Sequence, residues 1–448
     1  MIRQLASLIA AACLAATAGA AHAAPAIPDT PAGHVLGLWL AAMDSGDPAR
    51  LAAYRAVDPE TAAHMASFRA ATGGFDLVSI TTNEPLHLRF ELKARTSGWV
   101  STGNLVLADG QPSKVLAFAL RPPPPPGAST TDVKLDAGLR RRVIDAASDE
   151  IGKHYVDGPL AAQMVAAIRA KAAAGAYDAI TDGDVFASRL TEDLRAVSHD
   201  LHLRIDFQPF KLPSMADEPS PAQLAQMRAQ MLSGNCAFDK VEILPGNIGY
   251  VKFDGFGLAD VCAPTAVAAM AFVAHADALI FDLRENGGGD PQMVSFIASY
   301  LFDEPTHLND LYNRFRDTTA QFWTLSYLPG ARLPTQPVYV LTSHDTFSGA
   351  EEFSYDLQQL KRATIVGETT GGGAHPVAPH VIADYFIIAV PFAKAVNPVS
   401  KTNWEGTGVE PDVKAPAADA LAVAEKLAAA AIQAKASPSP GGPPKPAS

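Results

Sequence analysis

The sequence predicts an α/β core carried behind two N-terminal units, and three observations predict it. Between Val241 and Val413, short apolar runs alternate with turns and helix-length segments. Ala278–Leu283, Val338–Thr342 and Ala363–Gly367 read as strands, with helices over Pro291–Phe302 and Gly349–Leu360. Apolar strands interleaved with helices imply a mixed, mostly buried sheet. Upstream, Leu135–Leu203 places its apolar residues at helical spacing. Farther upstream, the five prolines Pro122–Pro126 form a semi-rigid spacer and a domain boundary.

In chain order, residues 1–23 read as an export signal: Arg3, an apolar run Leu5–Ala18, and the small-x-small site Ala21-His22-Ala23. That run is too short to remain as a bilayer-spanning helix. The expected mature chain is therefore periplasmic or secreted, with no membrane-spanning segment. Cys13 follows Ala10-Ala11-Ala12, a poor context for lipid attachment.

Residues 30–121 predict a small α+β domain. A helix carrying Val35, Leu36, Leu38 and Leu40 breaks at Ser45-Gly46-Asp47, and a second helix starts at Pro48. Alternating strands follow over Leu86–Leu92, Gly98–Leu107 and Lys114–Leu120. The unit resembles the small nuclear-transport-factor-like domains. After a linker at 122–130, residues 131–206 predict a helical subdomain. Val143, Ala147, Ile151 and Tyr155 mark one helix, and Met164, Ala167 and Ile168 a second. Asp182 caps a third through Phe186, Leu190, Leu194 and Val197. Residues 207–236 are expected to be a linker or lid, 237–415 the core, and 416–436 a C-terminal helix. The tail at 437–448, rich in Pro, Ser and Gly, is expected to be disordered.

At 448 residues, with 48% hydrophobic and 18% charged residues, the composition is that of a well-buried globular protein of two or three domains. The formal net charge is −12, and the one basic run, Arg140-Arg141-Arg142, falls in a helical pattern. No phosphate-reading surface is implied, so no nucleic-acid partner is expected. Beyond the signal only Cys236 and Cys262 remain. An even pair in an oxidising compartment predicts a disulfide, and both flank the strand pair Val241–Leu244 and Ile248–Phe253.

Candidate chemistry lies on the loops of the core. Ser348, in Thr346-Phe347-Ser348-Gly349-Ala350-Glu351-Glu352, falls between a buried strand and a helix start. A serine there is exposed at the end of a rigid sheet, beside the free N–H groups of a helix N-terminus. The competing role is a plain helix cap. The loop Asp282–Gly289 ends in Gly287-Gly288-Gly289. Glycines let backbone approach a ligand and turn amides toward it, as an oxyanion hole requires. The spacing matches neither nucleotide-binding nor dinucleotide-binding fingerprints.

Three stretches, LIFDLRENGGG, TSHDTFSGAEEFSYDLQQLKRATIVGETTGGGAHP and NWEGTGVEPD, together resemble the C-terminal-processing (tail-specific) serine peptidases. The resemblance runs in order over Leu135–Val413. It implies a crotonase-like ββα core with a helical N-terminal subdomain, and Ser348 as the nucleophile that forms an acyl-enzyme. It also implies a peptide or protein substrate and no cofactor. Phe207–Gly234 is too short for the PDZ module of many relatives, which points to the branch of tricorn and the interphotoreceptor retinoid-binding protein. The latter suggests the competing function, a catalytically silent binding protein for a small apolar ligand.

One position departs from the family pattern. Where Ser–Lys members carry a lysine after the Gly-Glu turn, this chain has Gly373, and no Ser-x-x-Lys motif occurs anywhere. A Ser–Lys dyad is thereby excluded. Tricorn-like members imply instead a histidine at the end of the helical subdomain and a glutamate before a G-V-x-P-D turn. Here these are His202 and Glu405, giving nucleophile, general acid–base and orienter. Leu201 stands where those members have a serine.

His199 is the alternative base. A His199–His202 metal pair lacks further ligands at suitable spacing, so no metal is expected. The alternative roles of Glu405 are partner to a backbone amide or to Arg284. The amides of Gly349 and Gly288 are assigned to the oxyanion hole, with Gly287 as the alternative to Gly288. Glu351 is expected to brace the helix start, and His344 and His375 lie near by sequence. A histidine base at its ordinary pKa of ~6.5 predicts activity falling as pH drops through about 6 to 7.

Overall fold

A computed structural model describes residues 25–45, 47–58, 65–96, 98–121, 133–212 and 221–436. The export signal at 1–23, the linker at 122–130 and the tail at 437–448 lie outside the described residues. Among those described, no helix is long and apolar enough to cross a membrane.

The first unit is α+β. Helices α1 (Pro31–Ser45), α2 (Pro48–Arg55) and α3 (Met65–Thr72) precede an antiparallel sheet of β1 (Phe75–Glu84), β2 (His87–Ala94), β3 (Val100–Ala108) and β4 (Gln111–Arg121), in that order. Asp47 caps α2 by accepting the Ala49 amide at 2.9 Å, and Pro48 suits the first helical turn, where no amide partner is needed. Trp39, Leu88, Phe90 and Leu105 share the core between helices and sheet.

Helices α4 (Ala137–His154), α5 (Gly158–Ala173) and α6 (Gly183–Ser198) make the second unit, and Asp136, Asp157 and Asp182 cap their N-termini. Strand β5 (Arg204–Phe207) then leaves the helices and pairs antiparallel with a later strand, Phe386–Pro391, setting Ile205 opposite Ile388. Val143, Phe186 and Leu190 thus share one core with Phe386 and Ile388, which stitches the helical unit to the rest. Within the stretch expected as a linker or lid lies helix α7 (Pro221–Ser233). Its Ala, Gln, Met and Leu residues are good helix formers.

The core sheet contains β6 (Phe238–Leu244), β7 (Ile248–Phe253), β8 (Ala278–Asp282), β11 (Val338–Thr342), β12 (Thr364–Gly367) and β16 (Val413–Lys414), in spatial order β16-β12-β11-β8-β7-β6. All neighbours are parallel except β6 and β7. Helices α8 (Ala259–Phe272), α9 (Pro291–Ala298) and α10 (Gly349–Gln359) supply the core on one face. On the other, α11 (Ala420–Ala436) lays Ala420, Ala424 and Ala428 against Tyr250, Ile280 and Leu341. Two smaller sheets, β10-β9-β15 and β13-β14-β5, use β9 (His307–Asn313), β10 (Thr318–Trp323), β13 (Val377–Ile382), β14 (Phe386–Pro391) and β15 (Ala393–Val396). A disulfide joins Cys236, in the turn before β6, to Cys262 in α8.

This topology sets the loops after β8 and β11 side by side at the carboxyl ends of adjacent parallel strands, where α/β sheets form their ligand crevices. The first unit reaches the same place. Arg55 of α2 donates to both carboxylate oxygens of Asp345, at 3.0 and 2.8 Å, in the loop after β11.

Candidate active site

Ser348 sits at the tip between β11 and α10 with φ +54° and ψ −120°, in left-handed backbone that a non-glycine residue seldom adopts. Such a conformation costs about 1–3 kcal/mol and persists only where its surroundings over-determine it. Thr346 is buried, donates to the Leu283 carbonyl at 2.8 Å and accepts the Ser343 amide at 2.9 Å. The Phe347 amide donates to the Asn286 carbonyl at 3.0 Å, and the Ser348 amide donates to Glu351 Oε2 at 2.8 Å.

The glycine loop is organised by Asn286, which is fully buried and donates to the Phe253 carbonyl at 2.8 Å. Its Oδ1 accepts the Gly288 amide at 2.9 Å. That corrects the expectation for Gly288, whose N–H is spent on Asn286. The Gly287 amide is spent likewise, on the Asp254 carbonyl at 3.2 Å. What Gly288 contributes is room. At its φ of +96°, a Cβ would stand 2.6 Å from the Gly349 nitrogen and 2.7 Å from Ser348 Cβ. Among the described residues, neither the Gly349 nor the Gly289 amide has an acceptor, and a Cβ on Gly349 would lie 3.0 Å from the Gly289 nitrogen.

Glu351 does more than brace the helix start. Fully buried, it accepts from the amides of Ser348, Gly372 and Gly373 and from the Thr370 hydroxyl, at 2.5 to 2.8 Å. Burial pushes its pKa up to about 7, while these donors pull it down. With four donors aimed at two oxygens, the bonded arrangement is that of the carboxylate.

His202 lies just beyond β11's loop, its ring packed on Phe347 at 4.6 Å between centroids. A Cβ on Gly373 would fall 2.5 Å from His202 Cε1 and 2.3 Å from Phe347 Cζ. Burial drives the His202 pKa down to about 4, opposed by Asp200. One ring nitrogen of His202, one oxygen of Asp200 and one oxygen of Glu405 all lie within 4.8 Å of one another. His202 Nδ1 and Glu405 Oε1 are both buried without a hydrogen-bond partner. Among the described residues, no hydrogen bond joins the Ser348 hydroxyl to the His202 ring. His199 is elsewhere: exposed, with φ +55°, it ends α6 as a left-handed cap.

Asp200 is engaged at both oxygens. It accepts the His202 amide at 3.0 Å, His375 Nδ1 at 2.7 Å and the Tyr155 hydroxyl at 3.2 Å. Although burial works against charge on both, their hydrogen bond lowers the Asp200 pKa and raises that of His375. Glu405 Oε2 accepts the Ala374 amide at 2.6 Å and lies 3.5 Å from His375 Nδ1. Burial, then the charge of Asp200, pushes the Glu405 pKa up to about 7. Arg284 is occupied by Asp282 and is not the partner of Glu405. Sequence reasoning missed Asp200 and Tyr155. Asp200 lies inside the Ser198–Leu203 stretch that carries His202, and nothing local marks Tyr155.

Residues 247–415 match the family model described as Peptidase family S41. The Carboxyl-terminal-processing protease of Synechocystis sp. is 31% identical over 161 residues, 34% of this chain and 35% of that one. The chloroplastic Carboxyl-terminal-processing peptidase 1 of Arabidopsis thaliana is 29% identical over 178 residues, 39% of this chain and 35% of that one. The chain thus spans about a third of the length of each of these relatives. The crystal structure of the tricorn protease aligns over 81% of this chain and 42% of that one, with a TM-score of 0.43 and 13% identity. The chain carries a domain of Peptidase family S41 over residues 247–415.

Proposed function

We propose that this chain is an exported serine peptidase in which Ser348, His202 and Glu405 act as nucleophile, base and orienter. The observation that carries the reading is the place of His202, packed on the residue before Ser348 near an unpartnered oxygen of Glu405. Of the two carboxylates there, Asp200 has its oxygens engaged, and Glu405 Oε1 is left to accept a hydrogen bond from the imidazole.

In the reaction Ser348 Oγ attacks the scissile carbonyl carbon and its proton passes to His202. The carbonyl π electrons move to oxygen, which takes the Gly349 amide and, in place of Gly288, the Gly289 amide. Collapse expels the amine, which receives the proton from His202, and water attacks the acyl-enzyme by the same route. The hydrogen bond between Ser348 and His202 forms when substrate fills the cleft, as catalytic hydrogen bonds commonly tighten only in the complex.

The substrate is a peptide or protein. Export rests on the Arg3-to-Ala23 signal pattern and suits the Cys236–Cys262 disulfide, which belongs in an oxidising compartment. Intact-mass measurement of the secreted chain should find it starting at Ala24. Fluorophosphonate labelling with peptide hydrolysis tests the activity. Ser348→Ala should keep the fold, lose the label and lose on the order of 10⁴-fold or more in kcat. A folded wild type that neither labels nor cleaves any peptide, yet binds small apolar ligands, would establish the silent binding protein instead.

A further inference from the structure

Glu150 and His154 are one helical turn apart near the end of α4, so they share a face. Strand β13 brings His380 to that face from more than two hundred residues away. Glu150 Oε2 lies 3.5 Å from His154 Nε2 and 3.0 Å from His380 Nδ1. The two imidazoles are stacked at 4.8 Å, and Phe315 covers His154 at 4.6 Å. Glu150 Oε2 and His380 Nε2 are buried yet make no hydrogen bond. The three side chains retain 29%, 17% and 23% exposure, so solvent reaches the cluster.

These distances, together with the unpartnered Glu150 Oε2 and His380 Nε2, fit ligands around one metal. Zinc bonds of ~2.0–2.1 Å in tetrahedral geometry hold neighbouring ligand atoms roughly 3.3 Å apart, and the two separations bracket that value. We propose that Glu150, His154 and His380 bind one divalent first-row metal ion, zinc by preference, with solvent completing the coordination. Two imidazoles and a carboxylate suit zinc and exclude the hard, all-oxygen cations. The Arg314 guanidinium is held by the carbonyls of Gly152, Lys153 and Tyr155.

The ion would fasten α4 to β13. Tyr155, the residue after His154, donates to Asp200, and the loop leading into β13 carries Gly373 and His375. The site is thus a clamp at the back of the Asp200–His202 cluster and separate from it.

Equilibrium dialysis of the chelator-stripped full chain against micromolar zinc chloride, read by elemental analysis, tests the proposal. The expected result is one zinc per chain, unchanged in His202→Ala. His154→Ala and His380→Ala should each weaken binding by at least the ~10–100-fold that loss of a mere supporting contact costs. Glu150→Gln keeps the helix face intact and should behave alike, which covers a histidine variant that misfolds. Anomalous scattering at the zinc edge should place the peak between the three side chains. A folded wild type that binds no zinc would overturn the site. So would undiminished binding in Glu150→Gln and His380→Ala, or loss of zinc only in His202→Ala, which would assign the ion to the Asp200–His202–Glu405 cluster.

Discussion

The imidazole of His202 fills the space into which a side chain on Gly373 would grow: a Cβ at 373 would stand 2.5 Å from His202 Cε1. The absence of a side chain at 373 thus leaves room for the ring beside Phe347.

Gly373→Ala follows directly. The residue is not among those with positive φ, so alanine is compatible with the backbone and the substitution acts through contact. The methyl group would also meet Phe347 Cζ at 2.3 Å, so the imidazole must move. Misplacement of a catalytic group by about 1 Å costs on the order of 10²-fold. The expected result is a loss of that order in kcat with little change in KM. Steady-state kinetics showing wild-type kcat in Gly373→Ala would remove His202 from the mechanism.

The two histidines at the end of α6 should separate cleanly. His202→Ala should lose several orders of magnitude in kcat, of the order of 10⁴-fold, with Ser348 intact. His199→Gly should keep full activity, because His199 is an exposed cap. Its left-handed backbone costs roughly 1 kcal/mol in a residue with a Cβ, so glycine should hold or raise the melting temperature. Activity lost in His199→Gly and kept in His202→Ala would transfer the role.

The pH profile should differ from that of an exposed histidine base. Burial holds the His202 pKa down at about 4, so the ring is already neutral throughout the range near neutrality. Within the proposed triad, the group that changes there is Glu405, raised to about 7 by burial and the charge of Asp200. Below that pH its carboxyl is neutral and cannot stabilise the imidazolium formed in the reaction; above it, the carboxylate can. kcat should therefore rise as pH passes through about 7 and stay high above it. In Glu405→Gln the step near 7 should vanish, leaving a low, flat profile. A step that survives in Glu405→Gln would point to Glu351, which burial raises to about 7.

What the sequence disclosed depends on how far each relationship reaches along the chain. The turn at Ser348, the glycine loop and the Asp182 cap of α6 are local, and their residue types announce them. The helix at Pro221–Ser233 was hidden because its apolar residues form no clear stripe, with Leu224, Met227 and Leu232 all exposed. The partner of the Gly288 amide was equally hidden, since a glycine-rich loop does not reveal which of its amides are already spent. Burial of His202 follows from the packing of Phe347 and the 371–373 loop around it. No reading of its own neighbourhood could have moved the expected limb from about 6 to 7. Glu351 looked like any acid in a first helical turn, because three of its four donors reach it across a tertiary contact and the fourth lies in the strained turn at Ser348.

Glu351 is also the subject of the last expectation. Its two oxygens hold the strained Ser348 amide and the loop on which His202 rests, so it sets the distance between nucleophile and base without touching substrate. Glutamine is isosteric but presents one oxygen and one NH₂ group to four donors, so at least one donor must face another. Hydrogen bonds to a charged acceptor are worth about 1.5–3 kcal/mol each, so Glu351→Gln should lower stability by several kcal/mol and depress the melting temperature. Activity should fall further than stability explains. At a temperature where the variant is fully folded, kcat should drop by about 10²-fold while KM stays near wild type, and fluorophosphonate labelling of Ser348 should slow in proportion. Glu351→Asp, too short to span both loops, should not rescue. A folded Glu351→Gln enzyme with wild-type kcat and labelling rate would mean that the elbow at Ser348 is held by the Thr346 and Asn286 contacts alone.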